Sequence, residues 1–408
     1  MSEQFDIVIA GGGMVGASLA CALAELPLRL AVVERVPFDD AAQPSFDLRT
    51  TALSRTSQCI LETLGIWRDV AASAAPIRRI HVSEQGRFGT TVIDAARQGL
   101  PALGYVLENR RLGQVLWSRL EAAGNVHVLA PATCAQAEPG DKQIGLPVNT
   151  ADGVEQLDAS LLIVADGARS QLRASLGIEA AVRPYGQTAI IGTTEPSLKG
   201  DGVTAFERFT PAGPMALLPA GDGRYVFVLT QADAEVEATL ELSDHAFCAL
   251  LQQRFGHRLG DFLRVGTRVA YPLELTRSSR MTAARAAIVG NAAHGLHPVA
   301  GQGYNLGLRD AATLAELIAD DWRNGLQDPG AAALLSDYAE WRRRDQRNVV
   351  AFTDGLVRLF DLPAGLLGNL RGLGLAAFDV LPGAKNALAR RTMGLGGRLT
   401  RLARGLPL

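Results

Sequence analysis

The chain has 408 residues, 48% of them hydrophobic and 20% charged, which predicts a globular protein with a large core and two domains. A formal net charge of −2 provides no global basic field of the kind that draws nucleic acid. The four cysteines (Cys21, Cys59, Cys134 and Cys248) show neither zinc nor redox spacing, which argues against a cysteine-built metal site or a disulfide scaffold and fits a reducing cytoplasm.

The first strand is expected from Phe5, which leaves no room for a signal peptide, and no apolar run reaches the ~20 residues of a membrane-spanning helix. The expected location is therefore cytoplasmic, soluble or peripheral at the inner face of a membrane. "FDIVIAGGGMVGASLACALAE" predicts strand, turn and helix, with Phe5, Ile7, Val8 and Ile9 in the strand and Gly11, Gly13 and Gly16 filling GxGxxG. "RLAVVERV" is the next strand. It ends at Glu34-Arg35, both candidate cofactor contacts, and so places an acid about 20 residues after the glycines, as in a dinucleotide-binding βαβ unit. The glycines let a diphosphate approach backbone N–H groups at a helix N-terminus, and Glu34 is placed to accept hydrogen bonds from a ribose. The plainer alternative for Glu34 is a solvated acid at a strand end.

"RTTALSRTSQCILETLGIWRDV" reads as an amphipathic helix, "IRRIHVSEQGRFG" as a hairpin, and "ENRRLGQVLWSRLEAAG" as a helix closed by Gly124. "LLIVADGARSQLR" puts Asp166-Gly167 at the end of a buried strand. From about 180 to 275 strand-like runs dominate, interrupted by the helix "SDHAFCALLQQRFG". "AAIVGN" then restarts a buried strand and leads through "AAHGLHPVAGQGYNLGLRD" into a long helix, a second glycine-rich helix entrance. The expected organisation is a discontinuous Rossmann-like domain over 1–179 and 276–357, an inserted sheet domain over 180–275, and a basic helical tail over 358–408. The tail carries Arg358, Arg371, Lys385, Arg390, Arg391, Arg398, Arg401 and Arg404 against Asp361 and Asp379. It reads either as a solvated helical face or as a docking surface for anionic lipid or an acidic partner.

The N-terminal loop, the Asp166-Gly167 turn and the "GNAAHGLHPVAGQGYNLGLRD" segment together resemble the three fingerprints of the single-component flavoprotein aromatic hydroxylases. The resemblance spans nearly the whole chain. It implies an α/β fold with an FAD-binding domain of the aromatic-hydroxylase type, an inserted α+β substrate domain and a helical C-terminal segment. It also implies FAD as cofactor, NAD(P)H as a transiently bound reductant, and O₂ as co-substrate; no second GxGxxG follows a strand. One extended cofactor accounts for both glycine-rich entrances. Gly11, Gly13 and Gly16 hold its diphosphate, while Pro298 and Gly301-Gln302-Gly303, the candidate catalytic residues, lie against the flavin ring with Tyr304 and Asn305 behind them. Asp166 and Gly167 carry over as cofactor contacts. "FDLRTTALS" brings Arg49 to the flavin, and "YVLENRRLGQVL" brings Asn109 and, as second choice, Arg111.

The third motif departs from the family's usual Gly-Asp, because Asn291 follows Gly290 and carries no charge. This segment, with "RIHVSEQGRFG" and "ERFTPAGPMALLPA", is most similar to the ubiquinone-biosynthesis hydroxylases, implying a polyprenylated phenol substrate, of the 2-polyprenyl-6-methoxyphenol type. A ubiquinone-biosynthesis complex and a membrane surface are the partners implied, and no nucleic acid. Tyr185, Tyr225 and Tyr271 are unranked candidates for deprotonating the phenol. His294 and His297 sit three apart without a third ligand in view, so no metal site is expected. Two rival readings are a prenyl-chain reductase on the same scaffold and a non-catalytic flavoprotein that scaffolds a biosynthetic assembly.

Overall fold

The computed structural model describes residues 2–39, 43, 45, 47, 49–298, 301–361 and 382–408. Its first layer begins with β1 (Glu3–Ala10), α1 (Met14–Leu23) and β2 (Leu30–Val33). Next come β3 (Thr50–Ser54), α2 (Arg55–Thr63), β4 (Arg79–Glu84), β5 (Thr90–Asp94), β6 (Gly104–Glu108), α3 (Asn109–Ala122), β7 (Val126–Leu129), β8 (Ile144–Thr150) and β9 (Gly153–Val164). β8, β9, β1, β2 and β7 stand side by side in that order. β1 runs parallel to both β9 and β2, and β8 is antiparallel to β9.

The continuous apolar runs of β1, β2 and β9 follow from burial on both faces. Ile7, Ile9, Leu30, Val32, Leu161 and Ile163 pack into a core with α1 and α3. Val8, Ala10, Ala31, Val33, Leu162 and Val164 pack into a second core against Ile144, Leu146 and Leu172.

The second layer consists of β10 (Ala180–Pro196), β11 (Thr204–Thr210), β12 (Gly213–Pro219), β13 (Tyr225–Ala232), α4 (Asp244–Phe255) and β14 (Val269–Ser278). Its strands run β14, β10, β13, β12, β11, β4, β5. The hairpin of β4 and β5 thus joins this sheet, through a parallel pairing of β4 with β11. The strands expected over 180–275 therefore do not form the layer alone. Period-two alternation divides its faces. Ile190, Phe206, Met215, Leu217, Phe227 and Leu229 pack on Phe247 and Leu251 of α4, whereas Ala189, Ala205, Ala216, Leu218 and Val228 face a cavity between the layers.

The chain then returns through β15 (Ala286–Ile288), parallel to the end of β9, to α5 (Gln302–Arg323), α6 (Ala332–Asp361) and α7 (Pro382–Thr392). Of the basic segment expected over 358–408, residues 362–381 lie outside the described residues. The remainder is tied to the body of the protein. Leu402 and Ala403 are buried in the first core, and Ala389 and Met393 pack with Ile93 and Leu103. Thr56 and Thr63 of α2 donate their hydroxyls to the carbonyls of Met393 (2.8 Å) and Leu402 (3.0 Å). Arg401 is paired with Asp320 at 2.6 Å, and the Arg398 guanidinium lies 3.6 Å from the Trp341 ring centroid.

Truncation after Leu381 is expected to cost roughly 3 kcal/mol or more, since it opens two apolar clusters at once. A melting temperature equal to that of the full chain would show that 382–408 contributes nothing to the core.

Candidate active site

The first glycine loop lies where backbone meets backbone. Gly11 has φ +108°, and a Cβ there would stand 2.4 Å from the Ala165 carbonyl oxygen and 2.9 Å from the Asp166 nitrogen. A Cβ on Gly16 would stand 1.9 Å from the Gly11 oxygen. The Asp166-Gly167 turn therefore abuts the loop directly, and α1 begins at Gly13 without a side-chain cap. Its first N–H groups have no acceptor within the helix, the arrangement that suits a phosphate. Glu34 is 9% exposed. Its Oε2 accepts from Gly12 N–H (2.6 Å) and its Oε1 from Val36 N–H (3.0 Å), while the Trp117 indole donates to the Gly12 carbonyl (3.1 Å). Glu34 thus braces the loop. With the Gln43 amide also donating to Oε1 (3.4 Å), three N–H bonds leave the carboxylate a further lone-pair site for a ribose hydroxyl.

The third motif packs onto the first. Gly290 has φ +59°, and a Cβ there would touch the Val15 side chain at 3.1 Å; at Gly307 of α5 a Cβ would meet Val15 at 2.7 Å. The bend after Gly290 is held by a buried ionic cluster. Asp310, fully buried, lies 2.5 Å from His294 Nε2 and 2.7 Å from Arg342 Nε of α6. It also accepts from Gln346 (3.0 Å). Burial alone would raise the Asp310 pKa. The His294 ring, the Arg342 guanidinium and their hydrogen bonds outweigh that and hold the carboxyl well below the usual carboxylate range. Arg342 also pairs with Asp345 at 2.7 Å, which pairs with Arg309 at 2.9 Å.

Between the layers lies a cavity of about 1440 Å³. One part is walled by Arg49, Asn109, Asn291, Pro298 and Gly301-Gln302-Gly303, and the other by the apolar face of the second sheet, with Phe352, Leu388 and Met393 on the C-terminal side. Gly301 caps α5 at φ +59°, tight against Ala52, while a Cβ at Gly303 would meet nothing within 4 Å. The uncapped start of α5 therefore opens on the cavity, where its dipole favours negative charge.

Most of the residues expected from the sequence converge here, in differing roles. Arg49 pairs with Asp47 (2.7 Å), and its guanidinium lies 4.4 Å from the ring centroid of Tyr271, whose hydroxyl donates to Asp47 (3.0 Å). Asn109 is buried and accepts from the Thr51 hydroxyl (2.6 Å). Asn291 is exposed on the cavity wall. Tyr304 reaches the wall, but its hydroxyl is bonded to Ser18 (2.9 Å). The Asn305 amide is saturated: its oxygen accepts from Ser54 N–H and Ser57, and its nitrogen donates to the Ala52 and Gly301 carbonyls. It therefore shapes the loop through bonds within the protein.

The first-loop glycines, Glu34 and the Asp166-Gly167 turn lie beside the cavity and not on its wall, and Arg111 and Arg35 lie off it as well. Arg111 donates to Gln114 and to the Asp69 carbonyl, and Arg35 is exposed. Of the three tyrosines, Tyr271 lines the cavity. Tyr225 is buried in the distant α4 core, and Tyr185 packs edge-on to His297 at 5.1 Å. Burial pushes His297 down to about 4, leaving it neutral at pH 7. Among the described residues, no group of three or more His, Cys, Asp or Glu side chains could hold a metal ion. Sequence reasoning missed Asp310 and Arg342. Their signal was an acid and a base on the inward stripes of two long helices, positions where an unpaired charge is costly.

A family model described as "FAD binding domain" matches residues 4–353. The ubiquinone hydroxylase UbiL of Rhodospirillum rubrum is 40% identical over 407 residues, 99% of this chain and 93% of that protein. The 3-demethoxyubiquinol 3-hydroxylase of Escherichia coli is 32% identical, covering 97% of this chain and all of its own length. Among solved structures, p-nitrophenol 4-monooxygenase PnpA from Pseudomonas putida DLL-E4 superposes with a TM-score of 0.80 at 19% identity, covering 97% of this chain and 99% of that one.

Replacing Glu34 with Ala unties Gly12 and removes the carboxylate placed to accept from a ribose hydroxyl, so FAD affinity should fall by roughly 1–3 kcal/mol; fluorescence titration of the apoprotein would read this, and an unchanged affinity would refute it. Asp310→Asn should lower stability by roughly 3–5 kcal/mol at neutral pH, because it leaves Arg342 and His294 buried without their partner. Asp310 has a depressed folded-state pKa. Its contribution is therefore present above the ordinary carboxylate range, about pH 4, and is lost as pH falls through the lower folded value. Wild type and variant should converge in melting temperature only in strong acid.

Proposed function

We propose, from the premise that this chain belongs to the FAD binding domain family and is an FAD-dependent monooxygenase, that it hydroxylates the ring of a polyprenylated phenol in ubiquinone biosynthesis, using NAD(P)H and O₂. The observation that carries this reading is the single cavity that joins the start of α5 to the apolar face of the second sheet. The volume of about 1440 Å³ is above the roughly 300–1,000 Å³ common for small-molecule sites, and fits a flavin ring with a prenylated phenol beside it. The ring proposed is of the 2-polyprenyl-6-methoxyphenol type, on the resemblance of the "ERFTPAGPMALLPA" and "LHPVAGQGYNLGLRD" segments. The names of the relatives, which differ in the reaction they specify, support hydroxylation in that biosynthesis more broadly.

The residues present fit FAD. The uncovered N-terminus of α1 and the Gly11–Gly13 backbone suit its diphosphate, Glu34 its ribose, and Asn291 its ribityl side. The first turn of α5 offers donors and a helix dipole where the ring would gain charge on reduction. When bound, the flavin supplies the redox chemistry that takes electrons from NAD(P)H and activates O₂. The chain's own residues bind, orient and exclude water. The apolar wall of Ile191, Leu218 and Val228 holds the substrate without competing hydrogen bonds, and Pro298 and the 301–303 turn close the ring side. Among the described residues, no helix is long and apolar enough to cross a membrane. The proposed location is the cytoplasm, with peripheral contact at the inner membrane face through exposed charges of the C-terminal segment, such as Arg390, Arg398 and Arg404.

Incubation with NAD(P)H, isotopically labelled O₂ and a prenylated phenol should yield a product that has gained one labelled oxygen atom. Two added hydrogens without label would mark a prenyl-chain reductase instead, and an unchanged phenol would mark a scaffold.

A further inference from the structure

Two carboxyls on the cavity wall, Glu207 and Glu274, have no hydrogen bond or ion pair among the described residues, and of the two it is Glu207 that stands in the apolar face of the second sheet. Glu207 lies in the middle of β11, its side chain on the cavity face of the second sheet. In register it stands between Val82 of β4 and Ala216 of β12, and the row continues through Val228 to Ile191. Apart from Thr91, which follows Val82 in the row, its other members are apolar. The small side chains of Ala205 and Ala216 leave the carboxyl uncovered. Among the described residues, no hydrogen bond or ion pair reaches it, and no charged group influences it. The two strands paired with β11 bring one other titratable group to this face, Glu84 beside Phe209, which is engaged elsewhere. β12 brings none.

A carboxyl that lines an apolar chamber with no partner in the protein points to a partner that arrives with the ligand. Of the other acids on the wall, Glu274 lies on β14 next to Pro184 of β10, away from the apolar row, and Asp47 is paired with Arg49 and already accepts from Tyr271. That arrangement engages Asp47 with the Arg49 guanidinium and commits the Tyr271 hydroxyl as a donor. Glu207 has neither restraint.

We propose that Glu207 is the proton acceptor for the ring hydroxyl of the substrate. The phenolic O–H bond breaks as a carboxyl O–H bond forms, and the electron pair stays on the ring oxygen, giving the electron-rich phenolate that an electrophilic oxygen attacks. The carboxyl releases the proton to water before the next turnover. The inference rests on the phenol-hydroxylase reading and names the group that serves it. The energetics favour this carboxyl over an ordinary one. A phenol loses its proton near pH 10, so transfer to a carboxylate of ordinary basicity is steeply uphill. Burial pushes Glu207 up to about 8, which brings donor and acceptor within roughly two pH units of each other.

The test uses the FAD-loaded protein in its oxidised form, without NAD(P)H, titrated with an ortho-prenylphenol while the ultraviolet difference spectrum of phenolate is followed against pH. Wild type should show bound phenolate at a pH where the free phenol is neutral, and Glu207→Gln should bind a neutral phenol only. In turnover, kcat/KM for the wild type should rise with pH through about 8 as the free carboxyl ionises. The Gln variant should lose that limb and at least ~100-fold in kcat/KM, with Glu207→Asp restoring part of both. FAD content equal to wild type would show that the variants are folded. Equal phenolate signals in wild type and Gln variant, or their absence from both, would overturn the role of Glu207. Phenolate formation without any oxygenated product would overturn the hydroxylase reading and leave the acceptor in place.

Discussion

The architecture depends on a backbone contact that admits no side chain. Gly16 sits so close to Gly11, and Gly11 to Ala165, that a single added methyl group would overlap a carbonyl oxygen at either position. That contact lays α1 on the turn after β9 and brings the first loop and the Asp166-Gly167 turn together. Val15, one residue before Gly16, then receives Gly290 and Gly307, so the third motif is fixed relative to the same helix start. Three segments far apart in the chain are brought around one helix N-terminus by close approach. A ligand site built this way is pre-organised, because nothing need move to expose the N–H groups.

The charge of Asp310 works against a different problem. The bend between β15 and α5 follows no regular pattern, and it must present Asn291 and Pro298 to the cavity while covering the core beneath. A fully buried carboxylate bonded to His294 and Arg342 ties that bend to two helices at once. Such clusters are poor sources of net stability, since desolvation offsets the attraction, but they tolerate few alternative arrangements. Asn291 fits this picture. Asp310 is paired beneath the surface, and the side chain that reaches the cavity wall at 291 is an uncharged amide.

Much of the fold was legible because both faces of the first sheet are buried. Continuous apolar strands, the glycine spacing and the terminal acid at Glu34 are all local patterns, and the comparisons with known proteins and the coordinates agree on the FAD fold they imply. The parts that were not legible are non-local. The hairpin 79–94 reads as a hairpin in sequence, but its pairing with β11 joins residues more than a hundred positions apart. Arg111 shares a helix with Asn109, and helical geometry puts residues two apart on different faces. One therefore reaches the cavity and the other Asp69. Asn305 was a fair candidate by residue type, yet its four hydrogen bonds are already spent within the protein, which only the fold reveals.

The C-terminal segment connects the two halves of the molecule. Its basic residues invited a reading as a detached surface, yet α7 supplies Leu388 and Thr392 to the cavity wall, and the Gln302 amide donates to the Thr392 carbonyl at 3.3 Å. The residues after it are bonded to α2 and α5. Charge on this segment therefore divides by position. Arg401 is consumed in holding the segment down, whereas Arg390, Arg398 and Arg404 remain exposed. A surface attraction acting on those exposed charges would act on a segment that also walls the cavity and touches the first turn of α5. Any contact that shifted α7 would alter the chamber on its apolar side before it altered the loops that fit the diphosphate, because those are fixed by glycine contacts on the far side of α1. The loops that fit the diphosphate thus hold their geometry apart from the C-terminal segment, whereas the first turn of α5 is in contact with it.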